Sequence, residues 1–340
     1  MWSADWIAFV WSSLPGAVLA TCAALGLVSD STALLFFAIS FVGLNLMHMG
    51  ATWERVYVQN RWRGFPVERV AIPLSLATFA VVFESVGGGA LLLALQYFLS
   101  FHHALMQNYG IVRQAERRSG RSVDFRLDMA ACLLLPAAAL LYRPVAVSNV
   151  YSGAVVPTFP LPLVQLVAAA GLVALIAFVW RELRDPRATA AGAPIGIGMF
   201  AGTNVLWAWM LVTLPHPAMP LYALASGHYV QYLYFVWRAS PREGATAGSA
   251  SLFAWLRTWP RSRWRFLVMM LALGGGVTLL LTFASVGLRA AAVSAGWRPL
   301  TALDIPPWAA AMIGINLEHY WLDHRIWRSP RPARTVVVAA

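Results

Sequence analysis

The sequence predicts an all-α polytopic integral membrane protein, a single transmembrane domain over 1–340 with about ten helices and both termini inside. Three observations carry this. Hydrophobic residues fill 59% of the positions and charged ones 11%, at a mean hydropathy of +0.64, too apolar for a water-soluble domain. Apolar runs long enough to cross a bilayer recur along the whole chain. All 25 basic residues are arginines and nearly all lie between those runs, the pattern by which cytoplasmic positive charge sets topology. This placement reads the net charge of +11 as contact with anionic headgroups. The lipid bilayer is therefore the expected partner, nucleic acid is not, and the expected location is a bacterial inner membrane.

The first span is expected at 6–28. Its leading MWSADWIAFVW lacks the basic n-region of a cleaved signal peptide, so it reads as a retained helix. The polar turn Ser29-Asp30-Ser31-Thr32 opens the second span, 33–52, and a loop with Arg55, Arg61, Arg63 and Arg69 follows. The apolar stretch 70–112 is too long for one span at about 1.5 Å per residue. Val86-Gly87-Gly88-Gly89 divides it into 70–85 and 90–112; the first piece is short enough that a re-entrant hairpin is the alternative. The fifth span is 129–147, and a proline-containing loop over 148–162 leads to the sixth, 163–180. The seventh, 195–214, ends at the turn Pro215-His216-Pro217, and the eighth is 221–237. A Gly/Ser/Ala-rich linker with several arginines precedes the ninth, 266–288, and the tenth is 307–327. With both ends inside, every arginine except Arg143, Arg289 and Arg298 falls on the inner side. Cys22 and Cys132 sit inside apolar runs without metal-type spacing and read as small buried residues.

The chemistry lies in the histidines, of which there are seven. His216 belongs to a loop; the other six lie on even-numbered spans, which all run from outside to inside. His48 comes seven residues before Arg55, His103 ten before Arg113, His228 ten before Arg238, and His319 nine before Arg328. At helical rise these depths agree within about one turn. A histidine near a helix end can snorkel or bond to a neighbouring helix, but four helices offering imidazole at one depth point to shared ligation. Asp323, four residues after His319, shares its face and joins the expected ligand set, with His102 and His324 as additional candidates. Asn45, Thr52, Gln107 and Gln231 each lie three or four residues from one of the histidines and are expected to orient them. Glu318 is turned about 100° from His319 and is set aside.

Imidazoles with a carboxylate suit iron, zinc or copper rather than magnesium or calcium. Open positions beside them are typical of non-haem iron, and a site inside the bilayer implies a lipophilic lipid or isoprenoid substrate. Phe98, Phe101, Tyr109, Trp207, Trp209, Tyr232 and Tyr234 are available to wall it. The reading is a metal-dependent oxidoreductase, with an electron donor where its chemistry needs one. The histidine spacing matches neither the membrane desaturase pattern nor HExxH.

Single histidines at matched depth on several helices resemble the bacterial Brp/Blh-type membrane carotene dioxygenases. The resemblance covers architecture and His48, His103, His228 and His319. It implies these four as ligands of an iron that cleaves β-carotene to retinal. A second reading is a haem-binding or electron-transfer membrane protein, because paired histidines on facing helices also hold haem b. A third is a transporter or structural membrane component.

Overall fold

A computed structural model describes residues 4–58, 67–118, 124–146, 150–151, 154–155, 159–185, 193–214, 218–239, 263–296 and 307–328. His216, Arg298 and the linker after the eighth span lie outside the described residues. The described chain is helical except for a short antiparallel pairing of Val150–Tyr151 with Ala154–Val155. The helices are α1 (Ala4–Phe9), α2 (Leu14–Ala24), α3 (Asp30–Trp53), α4 (Glu68–Phe83), α5 (Gly89–Arg118), α6 (Phe125–Ala146), α7 (Leu161–Arg184), α8 (Ala193–Ile197), α9 (Val205–Thr213), α10 (Ala218–Ala239), α11 (Arg263–Ser294) and α12 (Pro307–Arg328).

Among the described residues, five helical stretches are long and apolar enough to cross a membrane: Glu68–Gly88, Phe125–Tyr142, Leu161–Arg184, Ile195–Thr213 and Trp264–Ala291. The expected first span is divided. A tight turn at Trp11–Ser13 separates α1 from α2, which restarts with Pro15 in its first turn, where a missing backbone N–H does no harm. The seventh also differs from a plain helix, because a π-helical turn over Gly198–Asn204 joins α8 to α9. The break expected at 86–89 is a hinge without a loop. Gly87 takes φ +90° there, a conformation open to glycine at little steric cost, and α5 begins two residues later.

Local signals set α3, which carries the first of the site histidines. The Ser29 side chain accepts the Thr32 N–H at 3.2 Å, and Asp30 stands in the first turn of α3, both stabilising a helix N-terminus. This helix packs against both α10 and α11, while α12 lies against α4. Where α3 crosses α11, a Cβ on Gly50 would overlap the Met270 carbonyl, and one on Gly274 would overlap the Leu46 carbonyl. Paired small residues let two helix backbones touch.

The outward surface is apolar: Leu35, Phe36 and Ile39 on α3, Leu166 and Val173 on α7, and Leu280 and Phe283 on α11 are all exposed. Such extended patches suit lipid rather than water. Charged pairs sit at helix ends. Arg289 Nη1 meets Glu84 Oε2 at 2.9 Å. At the opposite end of the helices, Arg181 Nη2 lies 2.7 Å from Asp128, 2.9 Å from Glu182 and 3.1 Å from Glu116.

Candidate metal centre

The helices α3, α5, α10 and α12, which carry His48, His103, His228 and His319, are not among the five apolar stretches. Each carries polar residues at helical spacing: Asn45, His48 and Thr52 on α3; Gln96, Ser100, His103 and Gln107 on α5; His228, Gln231 and Tyr232 on α10; Asn316, His319 and Asp323 on α12. Intervals of three and four put such residues on one face, and these faces meet.

One nitrogen from each of His48, His103 and His319 and one oxygen of Asp323 lie within 4.8 Å of one another. Asp323 Oδ2 is 3.7 Å from His103 Nε2 and 3.6 Å from His319 Nε2, beyond hydrogen-bond length. Ligand atoms about 2.0–2.2 Å from a shared ion stand about 3.0–3.5 Å apart at tetrahedral or octahedral angles. The two Asp323 distances exceed that spacing by a few tenths of an ångström, and the widest pair in the group by up to about 1.3 Å. The ring centroids of His48 and His319 are 4.3 Å apart, and those of His103 and His319 5.1 Å.

His48, His319 and Asp323 are each 1% exposed. Both nitrogens of His48 and of His319, Nε2 of His103 and Oδ2 of Asp323 have no hydrogen-bond partner. Folded proteins leave few buried polar atoms unsatisfied, and each costs about 1–3 kcal/mol. One such atom from each of the four residues converging on one point is a strong sign of a ligand. The other Asp323 oxygen is satisfied: Oδ1 accepts from the Tyr232 hydroxyl at 2.7 Å and from Thr52 at 2.9 Å, and these hydroxyls are 2.8 Å apart. The triangle aims Oδ2 at the imidazoles. A cavity of about 20 Å³ touches His48, His103, His228 and His319 together with Tyr229 and Tyr320, room for about one water-sized group.

The sequence-named residues divide here. His228 is buried on the cavity wall, its ring 4.8 Å from His48 and 5.0 Å from His103, outside the four-atom group. His102 is exposed: it sits about 100° round the helix from His103 and does not reach the site, which corrects its candidacy. The side chain of His324 lies outside the described residues. Thr52 bonds to Asp323 instead of orienting His48. Asn45 donates to Asn316 Oδ1 at 3.4 Å, Gln107 donates to the His228 carbonyl at 3.0 Å, and Gln231 donates to the Phe9 carbonyl at 2.7 Å. None of the four bonds to an imidazole nitrogen. Sharing a helix face put them beside the histidines, but acceptors on neighbouring helices stood closer.

Among the expected wall aromatics, Tyr232 is at the site, Phe101, Tyr109 and Trp207 belong to the larger apolar core, and Trp209 is exposed. The aromatics that line the cavity are Tyr229 and Tyr320, each directly following a site histidine; the repeated His-Tyr pair was the available signal. Glu318 is fully buried, and both its oxygens accept from Trp53 Nε1, at 3.1 and 3.3 Å. No protein-family model, no curated protein and no solved structure matches this chain.

Proposed function

We propose that this chain is a membrane-embedded metalloenzyme whose His48, His103, His319 and Asp323 hold one transition-metal ion. Its helices would cross a bacterial inner membrane about ten times with both ends inside. The observation that carries the reading is the convergence of unsatisfied imidazole nitrogens on Asp323 Oδ2 at 3.6–3.7 Å. Three nitrogens and one oxygen suit iron, zinc or copper, and not the all-oxygen shells of calcium or magnesium. The cavity against three of the four ligands leaves a coordination position accessible, which closed structural sites lack.

Iron is the preferred ion, because an open position beside histidines and a carboxylate supplies dioxygen chemistry. The substrate class is then a lipophilic molecule oxidised with dioxygen. The chain's own groups orient Asp323 through Tyr232 and Thr52, exclude bulk water, and wall the cavity with two phenols. Haem is disfavoured. A porphyrin needs a slot of its own size beside its axial imidazoles, whereas the cavity beside these rings is about 20 Å³.

The test is elemental analysis of the purified protein alongside oxygen uptake with membrane lipid extracts. About one equivalent of transition metal and lipid-dependent uptake are expected. Alanine variants of His48, His103 and His319 that all keep full metal would end the reading, and a Soret band in the purified protein would favour haem.

A further inference from the structure

The polar face of α5 continues past the metal group. Gln96 and Ser100 precede His103 by seven and three residues, intervals that keep them on its face. Tyr320 stacks on the His103 ring with centroids 4.6 Å apart and planes at 28°. Its hydroxyl is 2.6 Å from Ser100 Oγ and accepts from Gln96 Nε2 at 3.1 Å. Ser100 in turn donates to the Gln96 carbonyl at 2.6 Å. With that proton committed, the Tyr320 proton goes to Ser100, and Gln96 Oε1 is left buried without a partner.

Whereas His48, His319 and Asp323 are buried, His103 is half-buried, as are Gln96, Ser100 and Tyr320. The seam between α5 and α12 therefore reaches the surface at them, while Ser100 and Tyr320 also line the cavity beside the histidines. The surrounding lip is apolar, with Leu91, Leu95 and Leu99 exposed on α5. A polar trio opening on a lipid-suited flank is costly to keep, and the unused amide oxygen calls for a donor. Exchanging the amide O and N of Gln96 would leave an unused donor instead. A hydroxyl answers both arrangements, because it donates and accepts; a hydrocarbon answers neither.

We propose that Gln96, Ser100 and Tyr320 form a lateral binding site for the hydroxyl of a lipid-soluble alcohol. Its nearest carbons then lie against the cavity beside the metal group. The chemistry at those carbons rests on the metalloenzyme reading; the binding does not.

The probes are radiolabelled hexadecan-1-ol and hexadecane, offered to the full-length protein in phosphatidylcholine nanodiscs, with metal content measured on the same samples. The wild type is expected to retain the alcohol over the alkane by about three- to tenfold, the yield of one hydrogen bond. Gln96→Leu is expected to abolish that preference. Ser100→Ala, which removes the acceptor of the Tyr320 proton, is expected to weaken it and serves where Gln96→Leu does not fold. Equal retention of both probes by the wild type, or an unchanged preference in both variants, overturns the proposal. The two readings separate cleanly: alcohol preference in protein that binds no metal sinks only the metalloenzyme, and bound metal without alcohol preference sinks only this site.

Discussion

Replacing Asp323 with asparagine separates the metal reading from a merely structural role for this carboxylate, because the two predict effects of opposite sign. In the native site Oδ1 holds two hydroxyl hydrogen bonds, at 2.7 and 2.9 Å, while Oδ2 has none and faces two imidazole nitrogens. Asparagine can keep both bonds at Oδ1 and places an amide NH2, a poor ligand, where Oδ2 stands. Structural zinc sites contribute about 10–16 kcal/mol; an even share among four ligands is about 3 kcal/mol, or about a hundredfold in affinity. The metal-free protein should respond the other way. It carries a buried carboxylate with one undonated oxygen, so the metal-free variant should be at least as stable as the metal-free wild type. Calorimetric titration with Zn²⁺ and thermal melts with and without the ion measure both quantities, since ligand-linked stabilisation grows with affinity. Tyr232→Phe is the graded control: with Thr52 still holding Oδ1, affinity should fall about 10–100-fold. The reasoning fails if Asp323→Asn binds Zn²⁺ as tightly as the wild type, or if the metal-free variant melts well below the metal-free wild type.

Other perturbations read the rest of the site. His228→Ala should lower metal affinity by no more than about 10–100-fold, less than alanine at His48, His103 or His319, and His102→Ala should leave metal content unchanged; elemental analysis that ranks His228 above those three would make it a primary ligand. Gly50→Ala should push α3 from α11 at the Met270 carbonyl, lowering stability by about 1–3 kcal/mol; because His48 lies two residues away, metal content should fall with it, and a variant with wild-type melting and metal content would refute the close crossing.

The helices and the level of their histidines were legible in the sequence, because rise per residue converts distance from the arginines that follow each histidine into position along the helix axis. That is why His48, His103 and His319 meet, and why Asp323, on the face of His319, meets them. The same arithmetic separated Glu318 from the group, and its carboxylate does turn away to Trp53. What helical spacing does not encode is the neighbour across the interface. Thr52 shares a face with His48, yet its hydroxyl bonds to Asp323 on another helix; Gln107 shares a face with His103, yet its amide bonds to the His228 backbone. Nor does hydropathy register the interruption of the first apolar run at Trp11–Ser13, because the residues on both sides are equally apolar.

The hydroxyl bonds at Asp323 would limit how an ion could be gripped under the metal reading. With Oδ1 engaged by Tyr232 and Thr52, the carboxylate would serve a bound ion as a one-oxygen ligand, and a two-oxygen grip would mean breaking both bonds at about 1 kcal/mol each. Many carboxylate-bound metals open or close a coordination position by such a carboxylate shift; here that motion is braced against. Under the metal reading, any change in coordination number would fall to the cavity side, among the histidines and whatever small molecule enters beside them. Ions that depend on crowded, two-oxygen carboxylate shells, calcium above all, are disfavoured by the same two hydroxyls.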